Sequence, residues 1–223
     1  NTMQANTAIV SGGTINGAYG IFSYADDNDH TQSVIKITGG TFATGYSAKY
    51  AEDDGYIFVE TGDGTYGVVE EGSVAQIVGG QGYPTLAGAF GAVENGETII
   101  MLADVEVDES LNNTKNITLD LNGKTIAGTD NTTSNFGLIH NTAELTITDN
   151  SAAKGGKITL TATNDTGFNR YSSVVSNNPG GKLTVDAGTL QHLGGTSMSY
   201  AIDNLTNGKG TYAETIITGG TIE

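Results

Sequence analysis

One short apolar fragment recurs along this chain. Residues 216–222 (IITGGTI) nearly repeat residues 8–15 (AIVSGGTI), a further copy lies at 35–42, and a divergent one lies at 183–190. Self-similarity at intervals of tens of residues is typical of a solenoid, in which each repeat buries its apolar side only by stacking on its neighbours. The repeat therefore predicts a stacked architecture.

The residues between the repeats favour short strands. Runs of Val, Ile and Leu are separated by Gly, Asn and Thr, and the 223 residues include only 2 prolines, which suits strands and tight turns. From about residue 97 three kinds of strand alternate: one ends in Asn (137–141), one alternates apolar and polar residues (117–121), and one follows a glycine (156–160). We therefore predict an all-β fold, a parallel β-helix with three strands per turn.

The Asn that ends the first kind of strand recurs as Asn141, Asn177 and Asn204. We expect these side chains to stack inside the coil, with each amide bonding its equivalent one turn away. This interpretation gives them a structural role and no catalytic one.

The segment 83–93 departs from the repeat. Thr85 follows a proline and is placed as an N-cap, which predicts a short amphipathic helix near 85–93. Its apolar residues stand at positions i, i+3, i+4 and i+7, namely Leu86, Ala89, Phe90 and Val93. An open solenoid end exposes apolar core and unpaired strand edges, so we expect this helix to cap it.

A hairpin is predicted before that helix. Residues 56–60 and 65–69 are β-rich and are separated by Gly-Asp-Gly, which indicates an antiparallel pair. We predict two units on this basis. Residues 1–72 form the C-terminal turns of one β-helix with this closing hairpin, and residues 73–223 form a second β-helix that begins with the capping helix.

The order of motifs along the chain resembles that of one family. The motifs are GGTF at 39–42, YAEDDGY at 50–56, GDGTY at 62–66, YPTL at 83–86, GETI at 96–99 and ITLDLNGK at 117–124. This order resembles the tandem pectate-lyase-like, right-handed β-helix modules of large cell-wall-attached surface proteins of Gram-positive gut anaerobes, and it covers nearly the whole chain. The resemblance implies a right-handed coil, an extracellular location within a larger protein, neighbouring β-helix modules as partners, and a stalk or adhesin role.

The charge of the chain bears on its partners. The net charge of -16 opposes binding to nucleic acid or to anionic membranes, and no apolar run is long enough for membrane insertion. The chain has no cysteine, which excludes disulfides and thiolate metal sites. We expect a host extracellular protein or glycan as partner, such as a glycoprotein or an immunoglobulin.

Right-handed β-helices include pectate lyases and polygalacturonases, so an enzyme has to be weighed. The lyases need a calcium-binding acidic cluster and an arginine on one face, but the sole arginine, Arg170, has only Asp165 near it in sequence. His30, His140 and His192 match none of the hydrolase motifs. We predict no enzyme activity, and the alternative is a carbohydrate-active or carbohydrate-binding β-helix acting on acidic polysaccharide. The negative charge and the absence of Trp favour the noncatalytic interpretation.

The densest acidic run is a metal-site candidate. Asp26, Asp27 and Asp29 place carboxylates close together, and oxygen ligands of this kind suit Ca²⁺. The run lacks the glycine and the terminal glutamate of an EF-hand, so a solvated acidic loop is the alternative. No other cofactor is expected.

The excursion at 162–172 is the candidate ligand-binding loop. Loops at solenoid corners project without disturbing the core, and an Arg beside aromatic residues suits protein recognition. A tolerated surface insertion is the alternative. The predicted ligand-binding residues are Asn164, Asp165, Phe168, Asn169, Arg170 and Tyr171.

Overall fold

The chain is described here by a computed structural model. It describes residues 7–21, 34–52, 55–61, 64–163, 170–195 and 198–223. The elements of the N-terminal part are β1 (Thr7–Ile15), β2 (Val34–Phe42), a 3-10 helix (Gly45–Ser47), α1 (Lys49–Glu52), β3 (Tyr56–Glu60) and β4 (Tyr66–Glu70). They are followed by β5 (Ala75–Ile77), β6 (Gly82–Tyr83) and α2 (Leu86–Ala92).

Short strands make up the rest of the described chain. Their bounds are β7 (Thr98–Met101), β8 (Val105–Val107), β9 (Leu111–Asn113), β10 (Ile117–Asp120), β11 (Thr125–Asp130), β12 (Phe136–Asn141), β13 (Glu144–Thr148), β14 (Lys157–Ala162), β15 (Tyr171–Asn177), β16 (Lys182–Val185), β17 (Thr189–Leu193), β18 (Met198–Asn204), β19 (Glu214–Ile217) and β20 (Thr221–Ile222).

Three parallel sheets form the sides of a coil. Their strand orders are β19-β16-β13-β10-β7, β20-β17-β14-β11-β8 and β18-β15-β12-β9. Each strand pairs in parallel with the strand three places along the chain, so the chain passes through all three sheets before it returns to the first. This confirms the predicted parallel β-helix with three strands per turn, a β-solenoid of about 6 turns.

The interior of the coil is filled by columns of aliphatic side chains. Leu119, Ile147 and Val185 are paired in register on three successive turns, and all three are fully buried. Burying each such side chain contributes about 1.5–3 kcal/mol. The apolar positions of the period-two strands therefore stack on their equivalents, as the repeat predicts.

The N-terminal part has a smaller core of its own. β1 and β2 pair in parallel, while β4 pairs antiparallel with both β2 and β3, which confirms the predicted hairpin. Ile37, Phe42, Ala51 and Val68 form its buried cluster, and the larger cluster begins at Ala75. The division of the chain into units at residue 72 stays a prediction.

The predicted helix is present as α2. The Thr85 hydroxyl accepts a hydrogen bond from the backbone N–H of Gly88 at 3.1 Å, and Leu86, Ala89 and Phe90 are buried. The helix packs against β5, β6 and β9, at the end of the coil where β7, β8 and β9 make the first turn. Among the described helices, none is long and apolar enough to cross a membrane.

Candidate functional site

The Asn ladder runs through the interior and ends at Asn204, which is exposed. Asn141 Nδ2 donates to Asn177 Oδ1 at 2.9 Å, and Asn177 Nδ2 donates to Asn204 Oδ1 at 2.9 Å. This arrangement confirms the predicted stacking. The ladder also includes Asn113, whose Nδ2 donates to Asn141 Oδ1 at 2.8 Å. Asn113 was missed because its strand has a single apolar residue, Leu111, before the polar one, whereas the strands of the other three rungs have two. It nevertheless stands directly opposite Asn141.

Two of the six residues predicted for the binding loop are described. Asn164, Asp165, Phe168 and Asn169 lie outside the described residues, whereas Arg170 and Tyr171 are placed. Arg170 is only 4% exposed, and its Nη1 donates to the carbonyl oxygen of Thr132 at 2.8 Å. Its other terminal nitrogen, Nη2, forms an ion pair with the carboxylate of Asp130. The guanidinium is therefore engaged inside the molecule, directly before β15.

The carboxylate of Asp130 is fully buried and well supplied with donors. Besides Arg170, the backbone N–H and the hydroxyl of Thr132 donate to Oδ1 at 3.0 and 2.9 Å. Asp130 ends β11 at an inward position, in line with Ile126 and Gly128. A buried carboxylate needs such a set of partners because the desolvation of an unpaired charge is costly.

Sequence reasoning missed Asp130 because it looked for a partner of Arg170 close by in the chain, and Asp130 lies 40 residues away. One signal was available. In the strand 125–130 the inward positions of a period-two pattern hold Ile, Gly and then Asp, and an acid at an inward position calls for a buried partner.

A histidine and a serine complete this polar cluster. The Nε2 atom of His192 lies 3.1 Å from the Ser172 hydroxyl oxygen. Burial lowers the pKa of His192, Arg170 lowers it further, and Asp130 opposes both. We call the set Asp130, Thr132, Arg170, Ser172 and His192 the Arg170 corner.

The Arg170 corner does not have the geometry of a catalytic triad. Ser172 is fully buried, so a substrate cannot reach its hydroxyl. The hydrogen bonds described for the Asp130 carboxylate are with Arg170 and Thr132 and not with His192. Nucleophilic catalysis requires the base to be oriented by a third group and the nucleophile to be reachable. The arrangement instead ties successive turns together.

The base of the loop is fixed from both sides. At its start, the backbone N–H of Thr163 donates to the carbonyl of Asp130 at 3.0 Å. At its end, the backbone N–H of Tyr171 donates to Asn135 Oδ1 at 3.1 Å. Thr163 and Tyr171, the described residues near the two ends of this stretch of sequence, are therefore both bonded to the preceding turn.

The metal candidates Asp26, Asp27 and Asp29 lie outside the described residues, and so does His30. Within the described ranges, no group of three His, Asp or Glu side chains has an arrangement that could hold a metal ion. The calcium site stays a prediction.

A second feature lies at the end of the coil formed by the first turn, between α2 and β8. This cleft, which we call the acidic cleft, has a volume of about 600 Å³. Its carboxylates are exposed, and no Lys or Arg among the described residues lines it. Its lining includes the side chains of Val74, Leu86, Asp104, Val105, Glu106 and Asp108.

Comparisons with known proteins add no relative to this picture. No protein-family model, curated protein or solved structure matches the chain.

Proposed function

We propose that this chain is a noncatalytic module of a bacterial cell-surface protein, of the adhesin or stalk type, which displays the loop 162–172 to bind host molecules. In this proposal the module is extracellular, attached to the cell wall as part of a larger protein, and adjoined by further β-helix modules. The host partner is a protein or a glycan, such as a glycoprotein or an immunoglobulin.

The observation that carries the proposal is the buried pair of Asp130 and Arg170. It holds the end of the loop to the preceding turn, so the loop's ends do not have to be ordered when a partner binds. Pre-ordering of this kind reduces the entropic cost of association, and binding residues are commonly found on loops that a rigid scaffold positions. Arg170 acts in this proposal as a positioning residue, and Phe168 is the predicted hydrophobic contact.

The charge of the chain supports a protein partner over an acidic polysaccharide. A net charge of -16 repels polyuronates, whereas it attracts a partner surface of positive potential and speeds the encounter. Trp, the strongest stacking platform for a sugar ring, is absent from the sequence.

The test is a binding screen of the intact chain against host glycoproteins, immunoglobulins and glycans. We expect saturable binding to at least one of them, weakened about tenfold or more by Phe168→Ala. The matched control is Tyr212→Ala, which removes an aromatic ring that is 72% exposed elsewhere on the surface and should change affinity by less than about twofold.

Three outcomes would count against the proposal in different ways. Equal affinity of the Phe168→Ala variant and the intact chain would exclude the loop as the site while leaving the module a binder. Absence of saturable binding across the panel would exclude the binding role. Release of unsaturated sugar from pectin in the presence of Ca²⁺ would replace the noncatalytic role by the carbohydrate-active alternative.

A further inference from the structure

We propose that the acidic cleft binds an extended, basic peptide segment of another protein, which adds as a strand to the free edge of β8. This site is separate from the loop 162–172, so it stands or falls independently of the function proposed above.

The three strands of the first turn differ in what lies against their outer edges. The sheet of β7 continues past it into β5 and β6, and α2 packs against β9. β8 pairs with β11 on one side, and no strand of the described chain pairs with its other side. A strand edge of this kind presents unpaired N–H and C=O groups, which are a template for a further strand.

The free edge of β8 opens onto a space large enough for a peptide strand. The cleft of about 600 Å³ lies between β8 and the start of α2, and β8 has three residues, or roughly 10 Å of pairing length. Val74 and Val105 are half-buried there, and Leu86 beside them is buried, so apolar side chains form part of the lining. A peptide can thus bond along β8 and place small apolar side chains against these residues.

The charge at the acidic cleft is negative. Asp104, Glu106 and Asp108 are all exposed at the cleft, and Asp104 is already used in part, since its Oδ1 accepts from the backbone N–H of Thr125 at 2.7 Å. Of the described residues that line the cleft beside Glu106 and Asp108, none is basic. A strand whose alternate residues are Lys or Arg would place its cations beside these carboxylates.

The occupant is a partner and not a segment of this chain. The parts of the sequence outside the described residues contain no Lys or Arg, so they lack the charge that the cleft would attract. They carry several aspartates instead, including Asp26, Asp27 and Asp165, which these carboxylates would repel.

The test uses the intact chain and a fluorescent peptide of about eight alternating Lys and Val residues, long enough to span β8. Binding is followed by fluorescence anisotropy. We expect saturable binding that weakens about tenfold in the variant Glu106→Gln/Asp108→Asn, because it loses two rim charges. The control variant Glu144→Gln/Glu214→Gln removes the same charge from exposed positions on β13 and β19, and should bind within about twofold of the unmodified chain.

A second peptide separates strand addition from simple charge attraction. It has the same sequence and charge but is N-methylated at every residue, so that it cannot donate backbone hydrogen bonds from either of its edges. We expect it to bind at least about tenfold more weakly, because main-chain hydrogen bonds supply the affinity in strand addition.

Three results would overturn the proposal. They are equal affinities for the two peptides, equal weakening in the cleft variant and the control variant, and absence of saturation with the unmethylated peptide up to about 1 mM, the weak limit for a specific contact.

Discussion

At the scale of single residues, Arg170 is where prediction and structure differ most instructively. The sequence suggests an arginine on an exposed loop, whereas the structure shows a guanidinium paired with a fully buried carboxylate. An arginine can act on binding without touching the ligand, since it fixes the segment that does. The structural role of Arg170 can be measured as a change in the free energy of unfolding.

We expect Arg170→Met to lower the free energy of unfolding by about 3 kcal/mol or more, because it leaves the Asp130 carboxylate buried without its cation. Urea unfolding followed by circular dichroism measures the change. The double variant Asp130→Asn/Arg170→Met should recover part of the loss, since it removes the unpaired charge. Equal losses in the single and double variants would show that the packing of Arg170, and not its charge, is what matters.

The Asn ladder gives a second prediction at this scale. Asn177→Ala removes the rung that accepts from Asn141 and donates to Asn204 and to the carbonyl oxygen of Glu214. We expect a cost of about 2–4 kcal/mol, since buried partners are left unsatisfied. Asn204→Ala should cost about 1 kcal/mol because that rung is exposed and water can replace it. Similar costs in urea unfolding for the two variants would contradict the importance of burial.

Two histidines predict a pH dependence. Burial lowers the pKa of both His140 and His192 below the ordinary value of 6.5. Between pH 6.5 and the folded-state pKa values the unfolded chain therefore binds more protons, so stability is fully present above about pH 6.5 and declines as the pH falls through that window. Thermal unfolding between about pH 7.5 and 5.5 should show this decline, and the variant His140→Asn/His192→Asn should show a flatter profile. An unchanged slope in the variant would assign the decline to other groups.

At the scale of elements, α2 is short, and a seven-residue helix is not stable by itself. Its stability comes from the N-cap and from the buried side chains Leu86, Ala89 and Phe90. The N-cap and the apolar spacing are also the features from which the sequence predicts this helix.

We expect Thr85→Ala to lower the free energy of unfolding by about 1 kcal/mol, the usual cost of losing an N-cap, as measured by urea unfolding. Thr85→Ser keeps a hydroxyl that can accept from the Gly88 N–H and should lie within about 0.5 kcal/mol of the unmodified chain. An equal loss in both variants would point to the Thr methyl group and away from the cap.

Elements whose signal is periodic or local could be predicted from sequence. The Asn ladder follows from an Asn at the end of repeated strands, and α2 follows from a cap with four apolar positions at helical spacing. The Asp130 and Arg170 pair could not, because one turn of the coil separates the two residues and loop lengths vary. The acidic cleft could not be predicted either, because it depends on which of the three strands β7, β8 and β9 is left uncovered by α2.

At the scale of the whole molecule, the main feature is the excess of negative over positive charge. A net charge of -16 destabilises the folded state through self-repulsion, and salt screens it. We expect the melting temperature to rise between about 10 and 300 mM NaCl. Choline chloride at the same ionic strength should give the same rise, whereas a rise with NaCl alone would indicate specific cation binding in place of screening.

The ladder also explains how this molecule can tolerate changes in length. Successive rungs are separated by 28, 36 and 27 residues, yet each rung makes the same amide bond to the next, and the strands that carry the rungs are spaced by about 4.8 Å. Added residues in one turn therefore widen a loop at a corner and leave the advance along the axis unchanged. The length of the coil along its axis therefore depends only on the number of turns. Because the loops of each turn can differ, a new binding surface can be gained on one turn without disturbing the turns on either side of it.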